Sequence, residues 1–251
     1  MIEVLPNADA LADAVAERFV AAALDAIGAR GQFLVALSGG STPRRTCERL
    51  AAGPLASRVA WSRVHVLWGD ERCVPPDHEQ SNYRMARETL LDHVPVLSAN
   101  MHRIHGEDDP PVGAARYEAT MRTLLGTPEG PPDAVSGKRL DLVLLGLGDD
   151  GHVASLFPGS DAVLEHTRWV VAAYSAGTST WRVTLTPAVI NAAAEVVFLV
   201  SGGSKSGILR RVLEGPCRPR ELPAQAIAPS SGRLRWYVDA PAAADLGRKS
   251  A

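Results

Sequence analysis

Short runs of apolar residues, each followed by a stretch with helical spacing, constrain this chain more than any other feature. Phe33–Leu37, Val64–Trp68, Leu140–Leu145 and Val196–Val200 are apolar at almost every position. A strand that is apolar on both faces must be covered on both faces, as in a parallel sheet with helices above and below. The intervening segments supply those helices. After a first strand at Ile2–Leu5, Asn7 or Asp9 can cap a helix to about Ile27, with Leu11, Val15, Phe19 and Ala22 or Ala23 in one stripe. Further helices are predicted from the SGGSTP segment to about Leu50, from a Ser81 or Asn82 cap to about Leu91, over Val112–Leu125, and from Ser201–Lys205 to about Leu213. Met101–Ile104, Trp169–Ala173, Trp181–Leu185 and Leu234–Val238 read as additional strands. The fold class is therefore α/β: a doubly wound, mostly parallel sheet with helices on both faces.

With 251 residues, no internal repeat and no long linker, the chain reads as one domain over residues 1–239. Gly126–Arg139, rich in Pro and Gly, is predicted to be a surface loop, and residues 240–251 a flexible tail. A formal net charge of -2 offers no reason to expect nucleic acid or an anionic membrane as partner. An anionic small molecule would have to be met by a local cluster of cations. The 3 cysteines, Cys47, Cys73 and Cys217, are dispersed without CxxC spacing, which argues against a disulfide framework and a zinc site. The acidic N-terminal segment does not resemble a signal peptide, and the apolar runs are strand-length, far short of the roughly 20 residues that cross a bilayer. A soluble, cytoplasmic protein without a metal is expected, as a monomer or weak homo-oligomer.

Three unusual loops each follow directly on an apolar strand, and loops at the carboxyl ends of parallel strands line a common crevice. In LSGGSTP, Gly39 and Gly40 allow backbone N–H groups to approach an oxyanion, and Ser41 and Thr42 add hydroxyls at the positive end of a helix. The same residues would serve equally as a strand-to-helix turn with Ser41 or Thr42 as cap. The loop lacks the lysine and spacing of a nucleotide P-loop, so a monophosphate is the expected anion. VSGGSKS repeats the arrangement with Lys205, in a chain that uses few lysines. A cation there opposes the helix dipole unless an anion offsets it.

The third loop, GLGDDGHVASLFPG, matches the glycine spacing of a dinucleotide fingerprint at Gly146, Gly148 and Gly151. Asp149 and Asp150 would repel a pyrophosphate there, so the dehydrogenase reading fails. Asp150 can instead orient His152 to take a proton from water. Asp70–Glu71–Arg72 adds an acid and a cation to the same edge, although such clusters are commonly surface salt-bridge sets. No G-x-S-x-G elbow is present, which speaks against a serine hydrolase.

Taken in order, SGGSTP, GDERCVP with SNYRMARE, GLGDDGHVASLFPGS, WRVTLTPAVIN and FLVSGGSK resemble the 6-phosphogluconolactonase family, from about residue 36 to 213. The resemblance implies a Rossmann-like fold and hydrolysis of a phosphorylated sugar lactone. It implies that His152 is the general base, that Asp150 sets it, and that Asp70 falls on a family acid. Gly39, Gly40, Ser41 and Thr42, with Arg72, Arg182 and Lys205, would surround the phosphate and sugar acid. No cofactor is implied. The related glucosamine-6-phosphate deaminases carry a glutamate where this chain has Phe157, and a phenyl ring relays no proton. A non-catalytic sugar-phosphate sensor would not need the intact Asp150–Gly151–His152.

Overall fold

The computed structural model describes residues 1–126, 139–229 and 231–247. In chain order the main elements are β1 (Ile2–Leu5), α1 (Ala8–Arg30), β2 (Phe33–Leu37), α2 (Ser41–Ala51), a short α3 (Gly53–Ser57), β3 (Val64–Trp68) and β4 (Asp70–Arg72). They are followed by α4 (Asn82–Ala86), α5 (Pro110–Leu125), β5 (Leu142–Leu145), β6 (Val170–Ser175) and β7 (Thr180–Leu185). The chain continues with α6 (Pro187–Ala192), β8 (Glu195–Val200), α7 (Ser206–Glu214) and β9 (Arg233–Asp239).

Six strands form a wholly parallel sheet in the order β1-β9-β8-β5-β2-β3. From β2 the chain winds outward to β3, and from β5 it winds the opposite way through β8 and β9. The reversal lies between β2 and β5, where neighbouring loops splay apart and leave a crevice at the strands' carboxyl ends. β2, β5 and β8 are buried at every position, as their apolar runs require. Trp61, Trp68, Trp169, Phe19, Phe33 and Phe198 are fully buried around this sheet. α1 packs on it through Leu11, Val15 and Phe19, and Asn7 caps the helix, its Oδ1 accepting from the N–H groups of Asp9 and Ala10. Gly31, at φ +77°, closes the other end.

Asp70–Glu71–Arg72 is not a loop. Gly69 N–H still donates to Leu37 O of the main sheet, while Leu185 N–H donates to Gly69 O, so the chain peels away from β3 into a second sheet at this glycine. That sheet, β4-β7-β6, is antiparallel. Trp169–Ala173 and Trp181–Leu185 therefore do form strands, but outside the parallel sheet.

Other boundaries differ for local reasons. Met101–Ile104 forms no strand: a single bridge joins Met101 to Val66, and the chain then departs towards α5. That helix begins at Pro110 rather than Val112, since Asp109 caps it and two prolines fit the first turn, where no N–H partner is needed. Ser81, not Asn82, caps α4, its Oγ accepting from Arg84 N–H. The helix continues past Ala86 as a π-helical turn over Arg87–Leu91. The segment from Ala240 packs rather than trails: Ala242 is fully buried, Ala243 and Leu246 lie against the core, and Gly247 N–H donates to Glu214. Residues 248–251, and 127–138 of the Gly126–Arg139 loop, lie outside the described residues. Among the described residues, no helix is long and apolar enough to cross a membrane.

Candidate active site

The loops after β2, β5 and β8 meet the small sheet around a cleft of about 400 Å³. Its wall includes Gly39, Gly40, Ser41, Thr42, Asp70, Arg72, His152, Arg182 and Lys205. Thr42, His152 and Lys205, far apart in sequence, share this one space.

The loop after β2 is drawn tight. Ser38 Oγ donates to Leu144 O at 2.7 Å, which ties the end of β2 to β5. Gly39 has no room for a side chain, because a Cβ there would lie 1.8 Å from Asn82 Oδ1. Gly40 adopts φ +105° and occupies the N-cap of α2 with no side-chain cap bond. Ser41 and Thr42 thus do not cap the helix, and its leading N–H groups are left facing the cleft.

The loop after β8 is held from behind. Asp239, at the end of β9 and 2% exposed, accepts from Ser201 Oγ at 2.5 Å, from Gly202 N–H at 3.0 Å and from Ala242 N–H at 2.9 Å. Gly202, at φ +100°, turns the chain back so that Lys205 reaches the cleft. The anion that offsets Lys205 in the protein itself is Asp149, whose Oδ1 lies 2.6 Å from Nζ.

The loop after β5 carries the acid–base pair. Asp150 Oδ1 accepts from the His152 backbone N–H at 3.0 Å and lies 2.6 Å from His152 Nδ1. Burial pushes the Asp150 carboxyl up, but the His152 N–H and imidazole more than offset it and hold the carboxyl below its usual range. A carboxylate against Nδ1 favours the tautomer that has its proton on that nitrogen, which leaves Nε2 as the acceptor. Among the described residues Nε2 has no protein hydrogen-bond partner. Asp150 stands behind the ring, not on the cleft wall. The ring is confined by Gly148, where a Cβ would lie 2.0 Å from Nδ1, and by Phe157, whose centroid is 5.2 Å away. Ala154 on the same loop adopts φ +49°, an unusual conformation for a residue with a Cβ.

The small sheet contributes charge. Asp70, 6% exposed, accepts from Ser155 Oγ at 2.7 Å and from Asn82 Nδ2 at 3.1 Å. Arg72 and Arg182 face each other across β4 and β7. Arg182 is 8% exposed, and among the described residues neither guanidinium has a carboxylate within ion-pair distance; Arg72 Nη1 donates to the Gln80 carbonyl at 2.6 Å. Arg182 instead donates to the hydroxyls of Thr180 and Thr178, and Arg72 Nε is buried without a partner. Burial, then the neighbouring Arg72, lowers the Arg182 pKa. Two like charges directly opposed in a sheet destabilise it. Two guanidiniums side by side can take an oxyanion by charge-assisted hydrogen bonds.

Residues 6–236 match the family model described as glucosamine-6-phosphate isomerases/6-phosphogluconolactonase. The chain belongs to this family. A 6-phosphogluconolactonase of Nostoc sp. is 39% identical over 98% of each chain. One of Mycobacterium tuberculosis is 37% identical, again over 98% of each. Among solved structures, the 6-phosphogluconolactonase of Trypanosoma brucei superposes with a TM-score of 0.83 at 28% identity, covering 98% of both chains. A monomeric glucosamine-6-phosphate deaminase, at 20% identity and TM-score 0.79 over 97% of this chain and 99% of that one, shares the fold.

Within the family frame, several residues that sequence reasoning passed over now have a place. Asn82 fixes both Asp70 and the Gly39 turn; the SNYRMARE segment held the signal, but there Asn82 read only as a helix cap. Glu71 looked like part of a surface salt-bridge set. It is 2% exposed and accepts from Ser81 Oγ and from the N–H groups of Arg72, Asn82 and Tyr83, which staples the loop between β4 and α4. Burial pushes its carboxyl up. Ser155, Thr178 and Asp239 had no local signal, because each acts on a residue distant in the chain or on a turn whose course is set by the small sheet.

Proposed function

We propose that the protein hydrolyses 6-phospho-D-glucono-1,5-lactone to 6-phospho-D-gluconate, a step of the oxidative pentose phosphate route. The observation that carries this reading is an imidazole with a free Nε2, oriented by Asp150, in the same cleft as three cations and two glycine turns. The names of the relatives at 37–39% identity point the same way.

In this reading His152 Nε2 takes a proton from a water, which attacks the lactone carbonyl. Asp150 stabilises the imidazolium that forms, without itself being protonated. The oxyanion of the tetrahedral intermediate is met by backbone N–H groups or a guanidinium on the same rim. The C1–O5 bond then breaks, and the ring oxygen takes the proton back from the His152 imidazolium to become the C5 hydroxyl, which restores the neutral base. Arg182, Lys205 and the N–H groups around Ser41 and Thr42 grip the phosphate, and Arg72 and Asp70 face the sugar. Phe157 packs on the base and offers no second acid, so the ring-opening chemistry of a deaminase lacks its proton relay.

A spectrophotometric lactone assay corrected for spontaneous hydrolysis tests this. The purified protein is expected to exceed background, and His152→Ala to lose about 10²–10⁴-fold while keeping its thermal transition. Ammonia release from glucosamine 6-phosphate without lactone hydrolysis would overturn the reading.

A further inference from the structure

Two adjacent acids on the loop after β5 do different things. Asp150 turns behind His152, whereas Asp149 reaches across the cleft mouth to Lys205 Nζ at 2.6 Å. The Asp149 side chain is 78% exposed and that of Lys205 22%, and this is the one ion pair either makes among the described residues. Both residues line the cleft. We propose that Asp149 is a resident counter-ion that competes with the ligand's phosphate for Lys205 and so sets, from the weak side, how tightly phosphorylated ligands are held. This rests on the reading of the cleft as a sugar-phosphate site.

The electrostatics are those of an exposed pair. With no ligand bound, Lys205 is neutralised and kept pointing at the cleft. A phosphate dianion brought to Nζ either displaces the carboxylate or sits beside it. Displacement loses a solvent-screened ion pair, and coexistence adds repulsion. At its exposure Asp149 can rotate into water, so displacement is the cheaper course and the penalty is that of a surface pair.

Calorimetric titration with inorganic phosphate and with 6-phosphogluconate tests the proposal on four proteins: wild type, Asp149→Asn, Lys205→Ala and the double variant. Removing Asp149's charge is expected to lower both dissociation constants about two- to fivefold at low salt, the range of an exposed pair. The gain should shrink towards 1 M salt, where the Debye length falls to about 3 Å. Lys205→Ala alone weakens binding, and in that background Asp149→Asn is expected to change nothing. Equal or weaker binding by Asp149→Asn overturns the proposal, as does tightening that persists without Lys205. Lactone hydrolysis by the wild type separates the two readings. Tightened phosphate binding in a protein that does not hydrolyse the lactone would sink the activity and leave the counter-ion. Hydrolysis without tightening would do the reverse.

Discussion

The Asp150–His152 pair occupies space that only a glycine leaves free, and Gly148→Ala measures how much of the activity depends on it. A Cβ at residue 148 would lie 2.0 Å from His152 Nδ1, 2.2 Å from Cε1 and 2.7 Å from Cγ. Ordinary carbon contacts begin at about 3.5 Å, so the ring has to retreat by about 1.5 Å. The 2.6 Å contact between Nδ1 and Asp150 cannot survive that displacement, because the carboxylate is itself fixed by the His152 backbone N–H. The backbone of residue 148 is not in the left-handed region and the clash falls on a partly exposed side chain. The fold should therefore tolerate the methyl group, with the thermal midpoint moved by no more than a few degrees. Misplacing a reacting group by about 1 Å costs on the order of 10²-fold. The expectation is a fall in kcat of about 10²-fold with little change in KM, because the phosphate contacts lie elsewhere on the wall. Steady-state lactone hydrolysis alongside calorimetric unfolding gives both numbers. A folded Gly148→Ala protein within threefold of wild-type kcat would show that the Asp150–His152 geometry is not what the rate depends on.

Two other expectations follow from the charges. Arg182→Met keeps the unbranched stem of a buried side chain and removes a guanidinium that opposes Arg72 without a carboxylate partner. The variant should unfold about 2–4 °C higher by calorimetry, the shift for roughly 1 kcal/mol in a chain of this size, while losing affinity for the phosphorylated lactone; a lower midpoint would mean the guanidinium is already compensated. The Asp150 carboxyl, held below the usual carboxylate range because the His152 N–H and imidazole outweigh its burial, should titrate below an ordinary aspartate in the wild type and move upward in His152→Ala, as followed by carboxyl carbon chemical shifts. Because the folded pKa is depressed, its contribution to stability is present above about pH 4 and disappears as pH falls through the lower, folded value. An unchanged titration in His152→Ala would separate the two side chains.

The elements of the fold were legible where one physical requirement acts locally. β2 and β3 fall on the residues that the apolar runs mark, because strands buried on both faces admit almost no polar side chain. The caps were legible to within two residues each, Asn7 or Asp9 and Ser81 or Asn82, and the glycine turns at Gly40 and Gly202 were visible because special backbone positions demand particular residues. The small sheet was not. Asp70–Glu71–Arg72 is polar and short, and it becomes a strand only because Gly69 lets the chain leave β3 and meet β7. The segment beginning at Ala240 was misjudged for a related reason: alanines carry little periodic signal, yet Ala242 fits a fully buried space beside Asp239.

For the site, the chain's own order of residues determined the acid–base pair. Asp150 and His152 are two positions apart, and no long-range fold is needed to bring a carboxylate to Nδ1. Tertiary structure alone decided which cations stay uncompensated. Arg72 and Arg182 are distant in sequence and become neighbours through antiparallel pairing, while Lys205 finds Asp149 because β5 and β8 lie side by side. Composition counts charges, but a charge's partner depends on which strands end at the same rim, and that is settled by the packing of the whole sheet.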